Sequence, residues 1–129
     1  MNRKIKFRGK TESNQFIFGD LIQYENGDTA IWEKEITGYG YEATQISNRT
    51  KVDNGTIGQF TGLHDKNGKE IYEGDIISNE SYKGIVVYKN GSFVLDLGKS
   101  CGCVYLFCLD SLLVIGNIYD NPELLESKK

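Results

Sequence analysis

Three Asn-Gly dipeptides, Asn26-Gly27, Asn67-Gly68 and Asn90-Gly91, each separate two runs of β-branched and aromatic residues. No other short-range feature constrains this chain as much. A type I′ turn needs φ > 0 at both central positions, and Asn-Gly meets that need at the least steric cost. Each dipeptide therefore predicts an antiparallel hairpin. Phe16–Tyr24 pairs with Thr29–Glu33, putting Ile31 and Trp32 on opposite faces. Thr56–Leu63 pairs with Glu70–Tyr72 around the polar tip His64–Lys69. Gly84–Tyr88 pairs with Phe93–Leu97.

Composition agrees. Val, Ile, Thr, Tyr, Phe and Trp total 41, against 13 for Ala, Leu and Met, so strand formers outnumber apolar helix formers about three to one. At 129 residues the chain has the length of one ordinary domain. Further strands are expected at residues 4–8, 76–77, 104–107 and 114–119, with 109–113 either strand or one helical turn. Residues 34–55 carry no firm period and read as a short strand with mobile loops. Asp120-Asn121-Pro122-Glu123-Leu124-Leu125 reads as a cap, a proline near the first turn and a short closing helix. Strands at this spacing, with no βαβ rhythm, form an antiparallel system closing as a small barrel or a sandwich. Gly19-Asp20-Leu21-Ile22 echoes Gly74-Asp75-Ile76-Ile77, a thin hint of duplication.

No apolar run approaches the ~20 residues of a membrane span. The basic start, Met1 to Arg8, has no apolar segment behind it, so no signal peptide is expected. The expected location is the cytoplasm, with Cys101, Cys103 and Cys108 as thiols. A net charge of -3 argues against bulk nucleic-acid binding. In a strand, Lys4, Lys6, Arg8 and Lys10 share one face, opposite Ile5 and Phe7. That face is either a solvated strand face or a contact patch for an acidic partner, phosphate included.

Three segments carry a resemblance: Arg3–Lys10, Ile57–Ile77 and Val114–Leu125. In this order and spacing the chain resembles, over essentially its whole length, the YopX family of small bacteriophage and prophage proteins. The resemblance implies a mostly β fold with a C-terminal SH3-like barrel. An N-terminal β portion (1–55) then precedes a barrel portion with its closing helix (56–129). It implies no catalytic, cofactor or metal residues.

The candidate chemistry is sparse. Cys101, Cys103 and Cys108 form C-x-C-x4-C, which lacks the paired spacing and fourth ligand of a zinc site. They read as reduced cysteines, at least one of them buried, with Cys103 and Cys108 on opposite sides if 103–108 is a strand. His64 beside Asp65 offers an acid–base pair in principle, and a polar turn explains both as well. Asp65, Asn67, Glu70, Glu73 and Asp75 offer oxygens to a hard cation, but turn chemistry accounts for them better. The glycines form no phosphate loop and read as bulges and corners. Tyr39, Tyr41, Tyr82, Tyr88 and Trp32 are either sheet packing or a recognition surface. The expected protein has no catalytic site, cofactor or metal, and acts by binding a protein partner or a second copy of itself. A nucleic-acid module built on the basic strand is the alternative, with an enzyme third.

Overall fold

The computed structural model describes residues 3–37, 44–98 and 102–125. The chain divides into two compact units, residues 1–59 and 60–129. Among the described residues every pairing is antiparallel, and helical structure is limited to single 3-10 turns. No helix among the described residues is long and apolar enough to cross a membrane.

The first unit holds β1 (Phe7–Lys10), β2 (Phe16–Gln23), β3 (Thr29–Thr37) and β4 (Thr44–Val52), in spatial order β4-β3-β2-β1. The start of β5 (Gly58–His64) lies on β1, with Arg8 opposite Gly58. Ile31 is fully buried and Trp32 half-buried on the other face, as the alternation predicts. The first strand starts three residues later than expected. A Cβ on Gly9 would meet Val52 at 2.9 Å, so glycine there allows close packing. The loose reading of 34–55 is corrected. β3 and β4 pair position for position from Thr29↔Val52 to Thr37↔Thr44, and long-range pairing overrides a weak local pattern. Gly38 to Ala43, with Tyr39 and Tyr41, lie outside the described residues.

In the second unit, β5 pairs β6 (Glu70–Tyr72) across a bulge that contains Gly62 at φ +88°. A sheet in the order β10-β9-β8-β7-β11 follows, from β7 (Asp75–Ser78), β8 (Lys83–Lys89), β9 (Ser92–Asp96), β10 (Cys103–Tyr105) and β11 (Leu113–Asn117). Its core is Ile71, Ile77, Val86, Leu95, Leu106 and Leu112. Each such side chain, fully buried, contributes roughly 1.5–3 kcal/mol. No closed barrel is found among the described residues: β10 and β11 end the strand order. The expected closing helix is one 3-10 turn, Pro122–Leu125, too short to gain α-helical cooperativity. The strand expected through 107 stops at Tyr105, and a 3-10 turn at Leu106–Cys108 drives Leu106 into the core.

All three Asn-Gly hairpins form, but only one uses the expected turn. Asn90 (φ +53°) and Gly91 (φ +81°) are both left-handed, as type I′ demands. In the other two, glycine alone is left-handed. The Gly27 N–H donates to the Tyr24 carbonyl at 3.0 Å, and the Tyr24 N–H to the Asp28 carbonyl at 2.9 Å. That is a type I turn ending in a G1 bulge. Gly68, Asp65 and Lys69 repeat it, as does Thr11–Gln15 with Asn14 (φ +65°) in the glycine position. A fourth Asn-Gly, Asn54-Gly55, makes no hairpin. It sits in a 3-10 turn capped by Asp53, and the Asn54 amide reaches back to the Gly27 carbonyl at 2.7 Å. The Gly-Asp echo does not mark equivalent places. Gly74-Asp75 forms a buried corner, whereas Gly19-Asp20 lies within β2 with Asp20 exposed.

Candidate functional site

His64 is exposed at the end of β5, with its ring edge-on to Phe60 at 5.5 Å. Asp65 turns inward and is only 7 % exposed. Its Oδ1 accepts the N–H groups of Asn67 and Lys69 at 2.9 Å, and Oδ2 accepts that of Val114 at 3.1 Å. Burial alone would push this carboxyl up. The donors from Val114, Lys69 and Asn67, with the Lys69 charge, outweigh it and hold the pKa below the usual carboxylate value. Asp65 thus ties its own turn to β11. Two of the other acidic candidates are separately employed: Asp75 accepts the Tyr72 N–H at 2.8 Å, and Glu70 accepts the Tyr72 hydroxyl at 3.0 Å. Among the described residues no three His, Cys, Asp or Glu side chains converge on a common metal position.

The expectation that Lys4, Lys6, Arg8 and Lys10 share one open strand face, solvated or a contact patch, is corrected, since the strand begins at Phe7. Arg8 and Lys10 are each only 5 % exposed. The Arg8 guanidinium lies 4.2 Å and the Lys10 ammonium 4.8 Å from the centre of the Phe16 ring. Lys10 also donates to the Asn14 carbonyl at 3.1 Å. Both cations are taken up by a ring and a turn, interactions worth ~2 kcal/mol or more when desolvated. Alternation assigned them to one face and could not say that the face would be covered. Lys10 also lines an open groove of about 920 Å³ in the first unit, together with the turn 11–14, Thr50–Asp53 and Thr56. Much of this wall has a structural duty: the Thr56 hydroxyl accepts the Lys10 N–H and donates to the Asp53 carbonyl.

Cys103 and Cys108 are exposed free thiols, and Cys101 lies outside the described residues. Because a 3-10 turn replaces the end of the strand, Cys103 and Cys108 border one groove rather than opposite sides. This groove, about 540 Å³, is lined by Lys89, Asn90, Val94, Cys103, Val104, Tyr105 and Cys108. Lys89 Nζ is 3.8 Å from Cys103 Sγ.

Sheet register explains the groove. The row Val86–Leu95–Val104 runs across β8, β9 and β10 toward the core, so the next row, Val87–Val94–Tyr105, lies on the opposite face. Val94 is nevertheless only 6 % exposed. Tyr105 lines this groove, whereas Tyr88 and Phe93, one position on from Val87 and Val94, lie on the core-side face. Tyr88 and Phe93 meet edge-on at 5.2 Å, and Tyr105 and Phe107 stack at 5.5 Å. Tyr88, Tyr105 and Phe107 are 57, 56 and 68 % exposed, the three most exposed of the large hydrophobic side chains described. Sequence reading singled out Tyr88 but missed Tyr105 and Phe107. Their signal is the alternation Tyr105-Leu106-Phe107, hidden inside a longer apolar run. Of the other aromatic candidates, Tyr82 is exposed, and Trp32 is half-buried with Arg49 4.8 Å from its ring centre.

The model for the family described as YopX protein matches residues 6–126. Protein EF1440 from Enterococcus faecalis is similar in crystal structure, with a TM-score of 0.60 at 26% identity; the match covers 95% of this chain and 99% of that one. YopX from Bacillus subtilis is similar in fold, with a TM-score of 0.53 at 24% identity, covering 96% of this chain and 99% of that one. No curated protein matches the chain. The family match spans both units, from β1 to the final 3-10 turn, and on that ground the chain belongs to the YopX family.

Proposed function

We propose that this protein acts by binding another protein, without catalysis, through the groove on β8, β9 and β10 that Tyr105 lines. The observation that carries this reading is the exposure of Tyr105, in the lining of a groove that also contains Val94, and of Phe107 stacked on it. Exposed aromatics give contact area at low entropic cost and dominate the energetics of interfaces. In line with the family resemblance, the protein is on this reading an accessory factor of a bacteriophage or prophage. The finer fold reading, an SH3-like barrel in the second unit, is supported by the order β10-β9-β8-β7-β11 and by the 3-10 turn that precedes the last strand. The nucleic-acid alternative is weaker, because two of its four cations, Arg8 and Lys10, are nine-tenths buried.

The test is affinity capture from cells carrying the phage or prophage, with wild type and a Tyr105→Ser/Phe107→Ser variant side by side. The expected result is a specific protein retained by wild type and lost by the variant at unchanged melting temperature. The same captured set with both proteins would overturn the assignment.

A further inference from the structure

We propose that Asn90 is a site of spontaneous deamidation, singled out by the fold from the four Asn-Gly dipeptides of the chain, with water as the only co-reactant. The chemistry belongs to the dipeptide. The backbone nitrogen of the glycine attacks the side-chain carbonyl carbon of the asparagine, and glycine, having no Cβ, hinders that approach least. At Asn90 the Gly91 nitrogen bonds to Cγ and the Cγ–Nδ2 bond breaks. The proton that the nitrogen loses ends on the departing ammonia. Water then opens the five-membered imide at one of its two carbonyls, leaving an aspartyl or an isoaspartyl residue at position 90.

Asn26, Asn54, Asn67 and Asn90 are all exposed, so access of water does not separate them. The glycine amides do. The Gly27 N–H donates to the Tyr24 carbonyl at 3.0 Å, the Gly68 N–H to the Asp65 carbonyl at 2.9 Å and the Gly55 N–H to Asp53 Oδ1 at 2.9 Å. Each of these nitrogens must give up its acceptor before it can attack. Lys89 and Ser92 pair to close the third hairpin, and between them the Gly91 N–H makes no hydrogen bond to a described residue. Two of the competing side chains are held as well. Asn26 Oδ1 accepts the Asp28 N–H at 2.9 Å, and Asn54 Nδ2 donates to the Gly27 carbonyl at 2.7 Å. Asn90 lies at φ +53°, a region that a Cβ makes costly, so local preference favours its departure from the turn conformation. The product changes a functional surface. Asn90 lines the groove with Lys89 and Cys103, so a carboxylate enters the groove wall. The isoaspartyl form also adds a backbone carbon to the turn that sets the register of β8 and β9. The site stands whether or not the groove binds a protein.

The experiment is peptide mapping by mass spectrometry on the full chain, aged in mildly alkaline buffer with and without urea. In urea the four sites are the same dipeptide and are expected to convert at comparable rates. In the folded protein, position 90 is expected to convert about tenfold faster than positions 26, 54 and 67, the cost of releasing a held amide hydrogen bond. Another of the four leading in the folded protein, or position 90 converting no faster than the rest, would overturn the proposal. Ammonia release gives a second readout. Asn90→Ala, checked for folding by circular dichroism, is expected to remove the fast phase of ammonia release from the folded chain, and an undiminished fast phase counts equally against the site.

Discussion

Asp65 shows how one residue can look catalytic and be structural. Beside the only histidine it suggests an acid–base pair, yet its oxygens accept three backbone N–H groups. Asp65→Asn turns one acceptor into a donor facing an N–H and is expected to cost about 1–3 kcal/mol in urea unfolding at neutral pH. The pH dependence has a definite sign. The folded-state pKa is depressed, so the stabilisation is full above the unfolded value, near 3.9, and is lost as pH falls through the lower folded value. Wild type should lose stability over this acid range more steeply than Asp65→Asn, and parallel curves would refute the assignment. Phe16 is the second such residue. Phe16→Leu keeps apolar bulk but removes the ring face shared by Arg8 and Lys10. A loss on the order of 2 kcal/mol is expected, read from the melting temperature.

At the scale of elements, identical dipeptides sit in different turns, and this is measurable. Asn90 occupies the left-handed region, so Asn90→Ala is expected to cost about 1 kcal/mol. Asn67 is not left-handed, because there the bulge glycine carries the positive φ. Asn67→Ala should therefore stay within about 0.5 kcal/mol of wild type in the same unfolding assay. Equal effects at the two sites would contradict the turn assignments. The existence of these hairpins was legible because Asn-Gly and the flanking strand formers speak to the same local geometry. The turn type was not, because it depends on the register that the flanking strands adopt. β3 and β4 make the converse point. Their long pairing was invisible locally, since residues such as Thr44, Gln45, Ser47 and Asn48 gain strand structure mainly from the partner strand.

For the whole molecule, the consequences lie at surfaces. Tyr105→Ser/Phe107→Ser is expected to abolish specific capture with little change in stability, because both side chains are already more than half exposed. Composition, the Asn-Gly dipeptides and the alternation at Ile31 and Trp32 determined by themselves that this chain is mostly β and antiparallel, because each rests on local backbone preference or period-two patterning. Tertiary structure alone decided that Arg8 and Lys10 are covered, that Asp65 is a backbone anchor, and that Cys103 and Cys108 border one groove. Each of these outcomes depends on groups distant in sequence or on where a strand gives way to a turn, and a linear pattern carries neither.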